Sequence, residues 1–250
     1  MDPIEPPKVA LITGAARRIG RAIAEDLARH GWSIGVHCNA SREEADALAA
    51  LIRSRGGRAV VLPADLADAR AVQQLVPDCA AALGTPICLI NNAALFINDE
   101  IISLDPTVWD LQMAVNLKAP VLLAGAMARA LGPGATGTII NIVDQRVWRP
   151  VPSYFSYGAS KSGLWSVTRT LAQALAPRIR VNAIGPGPVL ANVTQTPEAF
   201  AAECRATPLG RATRPQEIAD AVRFIIDAPA MTGQMIALDG GQHLAWEANA

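Results

Sequence analysis

Two polar residues in the second half of the chain, Tyr157 and Lys161, are spaced for joint chemistry. They stand four positions apart in a segment with a helical pattern, so their side chains share one face. A nearby ammonium group favours phenolate and brings the pKa of a phenol, ordinarily about 10, closer to neutral pH. The pair could therefore exchange a proton with a ligand. The alternative interpretation is an ordinary contact on a helix surface.

A second chemical signal is the turn TGAARRIG, residues 13–20, which directly follows the predicted first strand. Glycines at such a turn let the backbone approach a pyrophosphate, and the start of the helix offers amide donors and partial positive charge. Packing alone can also require glycine, so the turn favours a dinucleotide site without establishing it. The residues of this turn that we predict to bind the cofactor are Gly14, Arg17, Arg18, Ile19 and Gly20.

The segment VHCNASR, residues 36–42, lacks the acidic residue that NAD sites usually place after the second strand. A hydroxyl at Ser41 and cations at Arg42 and Arg17 could instead bind a 2′-phosphate. We therefore predict NADPH rather than NADH, with His37, Asn39 and Ser41 among the cofactor-binding residues. The alternative for Arg42 is a solvated helix face.

Short β-branched runs alternate with helical patterns along the whole chain. The predicted strands are 9–12, 33–37, 59–62, 87–90, 138–143, 179–183 and 234–238, and the predicted helices are 18–30, 42–55, 69–83, 107–131, 153–176 and 215–227. This alternation implies right-handed crossovers and a parallel sheet. Ser41 and Glu44 predict a capping box at the second helix. The irregular segment 185–213 is a candidate lid over the strand ends, where ligands bind.

Composition excludes several classes of protein. With 250 residues, 51% hydrophobic and 18% charged, the chain is expected to form one globular domain over 1–250, after a flexible N-terminus at 1–7. Zero formal net charge argues against a nucleic-acid binder. Four scattered cysteines predict buried free thiols in a reducing cytoplasm and no metal site. The start of the chain has no apolar signal core, and the longest apolar run, about 119–128, is shorter than the ~20 residues of a membrane span.

The ordered motifs resemble those of the short-chain dehydrogenase/reductase family over essentially the whole chain. They are the turn at 13–20, Asp65-Leu66, Asn91-Asn92-Ala93, Asn116, YGASK at 157–161, Pro186-Gly187 and LDGG at 238–241. The resemblance implies an α/β fold, a single Rossmann-type doubly wound domain whose parallel seven-stranded sheet has the order 3-2-1-4-5-6-7, with helices on both faces.

The resemblance also implies roles for individual residues. Tyr157 is expected to be the proton donor, Lys161 to lower the pKa of Tyr157 and bind the nicotinamide ribose, and Asn116 to hold a water of the proton relay. Asp65 is expected near the adenine and Asn92 in the cofactor cleft. Together the further cofactor-binding residues are Asp65, Leu66, Asn92, Ala93, Tyr157, Lys161, Pro186 and Gly187.

Two departures from the wider family narrow the prediction. Arg18 replaces the second glycine of the usual TGxxxGxG turn, and Asp144 replaces the usual serine thirteen positions before the tyrosine. Both are similar to the pteridine reductases and the related bacterial dihydromonapterin reductases, also called alternative dihydrofolate reductases. Phe96 matches a phenylalanine that stacks on the pterin in that group, and Tyr154 matches an aromatic residue there. A basic residue often found after the second strand appears here as Ala40.

The carboxylate at position 144 suits a C=N bond better than a ketone. An ionised Asp144 would repel a developing alkoxide, whereas C=N reduction needs hydride at carbon and a proton at nitrogen. We hypothesise that Asp144 hydrogen-bonds Tyr157 and that burial raises the pKa of the carboxyl. Arg18, Phe96 and Pro188 are predicted to contact the substrate beside these two residues. The alternatives are a structural role for Asp144, phosphate binding alone for Arg18, and plain packing for Phe96.

The sequence therefore predicts an NADPH-dependent reductase of a reduced pterin, namely dihydromonapterin, dihydrobiopterin or dihydrofolate. One alternative is a carbonyl reductase such as a 3-oxoacyl thioester reductase, and another is a non-catalytic NADP-binding regulatory protein. Apolar residues on several faces of the helices at 107–131 and 153–176, with the assembly usual in the family, predict a homotetramer. These residues are Leu122, Leu123, Met127, Leu164, Trp165 and Leu171.

Overall fold

Seven short strands form one parallel sheet in the computed structural model, which describes residues 8–192 and 194–244. The predicted flexible N-terminus, 1–7, lies outside the described residues. The strand order is β3-β2-β1-β4-β5-β6-β7, as predicted. The strands are β1 (Val9–Ile12), β2 (Ser33–Cys38), β3 (Ala59–Pro63), β4 (Cys88–Asn91), β5 (Gly137–Ile142), β6 (Ile179–Pro186) and β7 (Met235–Leu238). Ile12 pairs with Val36 of β2 and Ile90 of β4, so the chain reverses direction across the sheet beside β1.

Helices cover both faces of the sheet. They are α1 (Arg18–Arg29), α2 (Arg42–Ser54), α3 (Ala69–Leu83), α4 (Pro106–Met113), α5 (Ala119–Ala130), α6 (Phe155–Leu175), α7 (Pro197–Arg205) and α8 (Pro215–Ile226). One buried cluster joins the sheet to α1, α2 and α8, and another joins it to α3, α5 and α6. The strands are buried on both faces, which explains their uninterrupted apolar runs. The four cysteines are free and buried, as predicted.

The segment from Pro106 to Ala130 is helical throughout, because a π-helical turn, Ala114–Lys118, joins α4 to α5. Such turns often occur at functional sites, and Asn116 lies in this one. This 25-residue segment is long and apolar enough to cross a membrane, with a mean hydropathy of 1.3. It is longer than the apolar run at about 119–128 that the sequence analysis identified. Half of its most apolar 18-residue stretch is buried inside the protein, as in the core helix of a globular domain.

Two local predictions differ from the structure. The candidate lid, 185–213, contains the unpredicted helix α7, which begins with Pro197 and is capped by Thr196, whose hydroxyl accepts a hydrogen bond from the Ala199 N–H at 3.2 Å. The prediction of a capping box at α2 is wrong, because the Ser41 side chain makes no capping hydrogen bond. Glu44 instead lies 3.6 Å from Arg17.

Candidate functional site

The turn between β1 and α1 is a backbone cradle that a larger residue would fill. Gly14 has a φ of +62°, and a Cβ atom at Gly20 would lie 2.2 Å from the Gly14 carbonyl oxygen. The first amide groups of α1, which follow this turn, have no intrahelical acceptor. Close backbone approach and unpaired amides at a helix start fit the pyrophosphate of a dinucleotide. Ile19 and Gly20 would supply such amides.

The end of β4 is fastened to the same turn. The Thr13 hydroxyl oxygen accepts hydrogen bonds from the Asn92 and Ala93 N–H groups, each at 3.0 Å. The Asn92 side-chain amide donates to the carbonyl oxygens of Thr13 and Gly14 at 2.9 and 3.1 Å. Asn92 was predicted only to lie in the cofactor cleft. Its side chain also holds the backbone of the cofactor turn in place. Thr13, which our sequence analysis did not select, is central to this arrangement.

His37 supports the turn from inside the protein. Its Nδ1 accepts the Gly14 N–H at 3.0 Å, so its Nε2 carries the proton and donates to the Ala64 carbonyl oxygen at 3.1 Å. Burial lowers the pKa of His37 to about 4, and the ring is therefore neutral at physiological pH. Both ring nitrogens are used within the protein, so His37 orders the cofactor turn rather than offering a polar atom to the cofactor.

The residues predicted for the 2′-phosphate lie beside one another on the surface. Arg17 and Arg42 are more than half exposed, at 64% and 56%, and their ion pairs are with Glu44 and Asp46. Exposed pairs of this kind contribute little, so a phosphate could replace either carboxylate as partner. The Ser41 hydroxyl does not cap α2. These features fit a 2′-phosphate held by Ser41 and the two arginines.

Other predicted cofactor residues border this end of the sheet. Asn39 and Asp65 are exposed, and Leu66 is buried. The Asp65 carboxylate accepts a hydrogen bond from the Ala67 N–H at 2.9 Å, which fixes the loop after β3. Asn39 follows β2, so these loops adjoin because β2 and β3 are paired in the sheet.

Arg18 links the turn to the candidate lid. Its φ of 55° lies in the left-handed region that favours glycine, which accounts for the glycine usual at this position. The guanidinium donates to the carbonyl oxygens of Leu190 and Ala191 at 2.8 and 2.9 Å. One side chain thus connects the proposed phosphate site with the loop after β6, which is consistent with contact to both cofactor and substrate.

The loop after β6 is also tied to the C-terminal turn. The Gly187 N–H donates to the Leu238 carbonyl oxygen at 3.1 Å, and the Thr213 N–H donates to the Pro188 carbonyl oxygen at 2.9 Å. Pro186 ends β6 in register with Leu238. Pro188, which was predicted to contact the substrate, is buried.

Asp144 and Tyr157 form the central contact of the site. The Tyr157 hydroxyl donates to Asp144 Oδ2 at 3.0 Å, and the other carboxylate oxygen, Oδ1, accepts the Arg146 N–H at 2.8 Å. Asp144 follows β5 and precedes a short 3-10 turn, Gln145–Val147, while Tyr157 lies in the first turn of α6. The predicted hydrogen bond between carboxylate and phenol is therefore present in the structure.

Burial raises the pKa of Asp144, against the opposing effects of the Arg146 charge and N–H, the Tyr157 hydroxyl and the Lys161 charge. The pKa of Tyr157 is raised well above its usual value by burial, and then by the Asp144 charge and hydrogen bond. Tyr157 is thus a protonated donor at neutral pH. This corrects the expectation that Lys161 lowers the pKa of Tyr157, because burial and the Asp144 carboxylate raise that pKa.

Lys161 is buried among the catalytic groups but points to the backbone. Its Nζ donates to the Ile142 carbonyl oxygen at 2.7 Å and lies 5.7 Å from the centre of the Tyr157 ring. Burial lowers the pKa of Lys161 to about 8, while the Asp144 charge opposes this shift. In this arrangement the ammonium acts electrostatically on Asp144, and Asp144 in turn acts on Tyr157.

Asn116 anchors the loop after β4. Its side-chain oxygen accepts the Leu95 N–H at 2.8 Å, and its amide donates to the Leu95 carbonyl oxygen at 2.9 Å and to the Ser160 hydroxyl at 3.1 Å. Both amide hydrogens are therefore used within the protein. Asn116 is thus a positioning residue for the loop that carries Phe96, and its expected contact with a water of the proton relay stays a prediction.

Phe96 and Tyr154 form a stacked pair, here named the aromatic platform. Their ring centres are 4.2 Å apart and their planes differ by 10°. Phe96 also meets the Tyr157 ring edge to face, at 4.6 Å. Phe96 is 37% exposed, so it can still offer surface to a planar ligand beside the proton donor. The predicted neighbourhood of Phe96, Tyr157 and Asp144 is therefore present.

A polar network that sequence reasoning missed holds the platform in place. The Asp99 carboxylate accepts hydrogen bonds from the main chain and the hydroxyl of Ser156, and Gln112 also donates to that hydroxyl. The Tyr154 N–H donates to the Asn98 side chain at 3.2 Å, and Tyr154 itself has a φ of 56°. A left-handed tyrosine at the start of α6 is a local conformation that only these long-range contacts explain.

Comparison with known proteins agrees with this geometry. A family model described as enoyl-(acyl carrier protein) reductase, adh_short_C2, matches residues 14–243. A 3-oxoacyl-[acyl-carrier-protein] reductase from Synechocystis is 33% identical over 238 residues, covering 94% of this chain and 96% of the relative. Two crystal structures of FolM alternative dihydrofolate reductase 1, from Brucella canis complexed with NADP and from Brucella suis in complex with NADP, are each 50% identical with a TM-score of 0.94. They cover 97% and 98% of this chain, and 96% and 98% of their own chains. The chain belongs to the short-chain dehydrogenase/reductase family.

Proposed function

We propose that this protein is an NADPH-dependent reductase that reduces a C=N bond of a reduced pterin, such as dihydromonapterin, dihydrobiopterin or dihydrofolate. The observation that carries the proposal is the hydrogen bond from Tyr157 to Asp144, because it places a carboxylate where a ketone reductase needs a hydroxyl donor. The family and its NADP-bound relatives make the protein an NADPH-dependent reductase. The similarity to the two alternative dihydrofolate reductases supports the pterin as substrate.

The cofactor, when bound, supplies the hydride for the carbon of the C=N bond. The nitrogen must then gain a proton, and Tyr157 is the protonated, buried donor beside the aromatic platform. As Tyr157 releases its proton, the developing phenolate is next to Asp144, whose carboxyl pKa is raised by burial. Asp144 can thus return a proton to Tyr157 Oη, and solvent restores the carboxyl. Lys161 holds positive charge beside this pair and limits the build-up of negative charge.

Each side chain of the site has a separate role in the proposed reaction. Tyr157 transfers the proton, Asp144 resupplies it, and Phe96 offers a face for the ring. Asn116 keeps the Phe96 loop in position through the backbone of Leu95. Proton transfer between fixed groups at hydrogen-bonding distance requires little rearrangement, which is how general acids accelerate such reactions.

A carbonyl reductase is the second candidate, and one specific observation favours it. The Synechocystis relative is named a 3-oxoacyl-[acyl-carrier-protein] reductase. In that reaction Tyr157 alone would stabilise the oxyanion, while an ionised Asp144 would oppose it. The raised pKa of Asp144 reduces this opposition but does not remove it.

The deciding experiment follows the loss of NADPH absorbance with purified protein. Dihydrofolate, dihydrobiopterin and dihydromonapterin are compared with ketones and 3-oxoacyl thioesters at equal concentrations. Turnover of pterins alone is expected. Turnover of carbonyl compounds alone would contradict the proposal, and cofactor binding without any turnover would indicate a non-catalytic NADP-binding protein.

We also propose that the protein assembles as a homotetramer through α5 and α6. Leu123, Met127 and Leu164 are buried within one chain, so they belong to the faces of these helices that pack inside the protein. Leu122, Trp165 and Leu171 are only partly buried, so each keeps surface that a partner could cover. Size-exclusion chromatography with light scattering tests this proposal, and a monomeric mass would contradict it.

A further inference from the structure

Arg146 is not used by the mechanism above, although it lies against the catalytic groups. Its guanidinium carbon is 5.3 Å from the centre of the Phe96 ring and 5.1 Å from that of Tyr154. Because those rings are stacked 4.2 Å apart, the guanidinium lies beside the aromatic platform rather than between its rings. The backbone N–H of Arg146 is fixed by Asp144. The cation is therefore held at the edge of the surface proposed for the pterin.

One donor atom of this guanidinium lacks an acceptor. Within residues 8–192 and 194–244, Nη1 of Arg146 is buried and makes no hydrogen bond. Buried charged donors are normally paired, because water has been removed from them. The nearby Asp144 carboxylate accepts from the Tyr157 hydroxyl and the Arg146 main-chain N–H and makes no hydrogen bond with this atom. The missing acceptor indicates a group that a ligand brings.

A cavity of about 190 Å³ is lined by Arg146 and by Tyr154 of the aromatic platform, and it follows the start of α6. Arg146 is the charged residue of its wall, which is otherwise formed by apolar, aromatic and small residues. The wall includes Pro150, Val151, Tyr154 and Phe155. Such a wall suits a flat, mostly apolar group that carries an anion near the cation.

We propose that Arg146 binds a carboxylate of the substrate through Nη1 and selects pterins with an acidic side chain over pterins with an uncharged one. The inference rests on the proposed function and adds a substrate class to it. Dihydrofolate has the acidic side chain, a benzoyl amide followed by glutamate, whereas dihydrobiopterin has a short hydroxylated chain. A hydrogen bond from guanidinium to carboxylate is stronger than one to a hydroxyl, so the discrimination has a direct physical source.

The test compares the KM for dihydrofolate with the KM for dihydrobiopterin in the wild type and in two variants. In Arg146→Gln, loss of one charge-assisted hydrogen bond is expected to raise the ratio of these KM values by about tenfold to a hundredfold. Arg146→Lys keeps the charge without the planar fork, so a partial recovery is expected. The ratio is used because Arg146 also influences Asp144 and Tyr157, an effect common to both substrates.

Arg149→Gln is the matched control. It removes the same charge three residues away, where the guanidinium donates to the Gln242 carbonyl oxygen at 3.2 Å, and its KM ratio is expected to match the wild type. Equal KM increases for both pterins in Arg146→Gln would overturn the inference and assign Arg146 to the shared ring. An equal change of the ratio in Arg149→Gln would overturn it in favour of a general field effect. Wild-type protein that reduces none of the three pterins, dihydromonapterin included, would contradict the proposed function itself.

Discussion

Asp26 and Asp144 are both carboxylates sheltered from water, yet the protein shifts their pKa values in opposite directions. Asp26 lies between α1 and α8 and accepts hydrogen bonds from Arg29, Gln216 and Arg223 at 2.8, 2.9 and 2.6 Å. These donors outweigh burial and lower the pKa of Asp26. Asp144 accepts hydrogen bonds from one phenol and one N–H, and its two cationic neighbours are more distant. The effect of burial therefore prevails and raises the pKa of Asp144. The number of directly bonded cationic donors decides the sign.

Asp26 contributes to stability, whereas Asp144 contributes to reactivity. A carboxylate with strong cationic partners is held ionised, so it joins two helices and exchanges no proton near neutral pH. A carboxylate with few direct partners keeps a pKa that can be reached during a reaction. The same region leaves Nη1 of Arg146 unpaired and lowers the pKa of Lys161 to about 8. The catalytic cluster therefore contains charged groups that their neighbours do not fully compensate.

The largest expected effect is on catalysis at Asp144. Asp144→Ser should reduce kcat/KM for the preferred pterin by about a hundredfold or more, because the proton supply to Tyr157 is lost. Binding of NADPH, followed by its fluorescence, should change little, because Asp144 is not among the residues assigned to the cofactor. The melting temperature should not fall, since the substitution removes a charge that burial disfavours. Unchanged pterin turnover would show that Asp144 is only a structural hydrogen-bonding residue.

The second effect is on stability at Asp26. Asp26→Asn should lower the free energy of unfolding by about 1–3 kcal/mol, because Arg29 and Arg223 lose a buried partner while remaining partly exposed themselves. Urea denaturation measures this change, and pterin turnover at a temperature where the variant is folded should be retained. The control is Asp46→Asn on α2, because the Asp46 carboxylate is 53% exposed. This substitution should change the free energy of unfolding by less than about 0.5 kcal/mol.

The pH dependence of stability has a definite sign at Asp26. Its folded pKa is below the ordinary 3.8, so its contribution is fully present above that value and is lost as pH falls through the folded pKa. The wild type should therefore lose stability below about pH 4 more steeply than Asp26→Asn. Equal acid slopes in urea denaturation would show that Asp26 is not held ionised by its partners.

Much of this molecule could be predicted from local pattern. Periodicity and glycine spacing predicted the strands, the helices and the turn at 13–20, because these depend on neighbouring residues. The strand order and the Asp144–Tyr157 pairing came instead from the resemblance to the family and to its pteridine-reductase branch. The missed features join distant residues, such as Asp99 and Ser156, 57 positions apart, and no spacing rule connects them. The predicted lowering of the Tyr157 pKa by Lys161 was wrong for a related reason, while the predicted contact of Lys161 with the nicotinamide ribose stays a prediction. Helical spacing gives the face that a side chain shares, but not that its ammonium bonds the Ile142 carbonyl oxygen.

The smallest expected effect is a shift in the alkaline limb of the pH–rate profile. With Lys161 protonated below its pKa of about 8, positive charge supports the Asp144–Tyr157 pair, so kcat/KM should fall as pH rises through that value. Because the Asp144 charge raises the pKa of Lys161, Asp144→Asn should move the limb of its residual activity to lower pH. Asp26→Asn, far from the site, should leave the limb in place. A limb that moves equally in both variants would mean that it reports unfolding rather than Lys161, and the contrast between the two carboxylates would then not extend to catalysis.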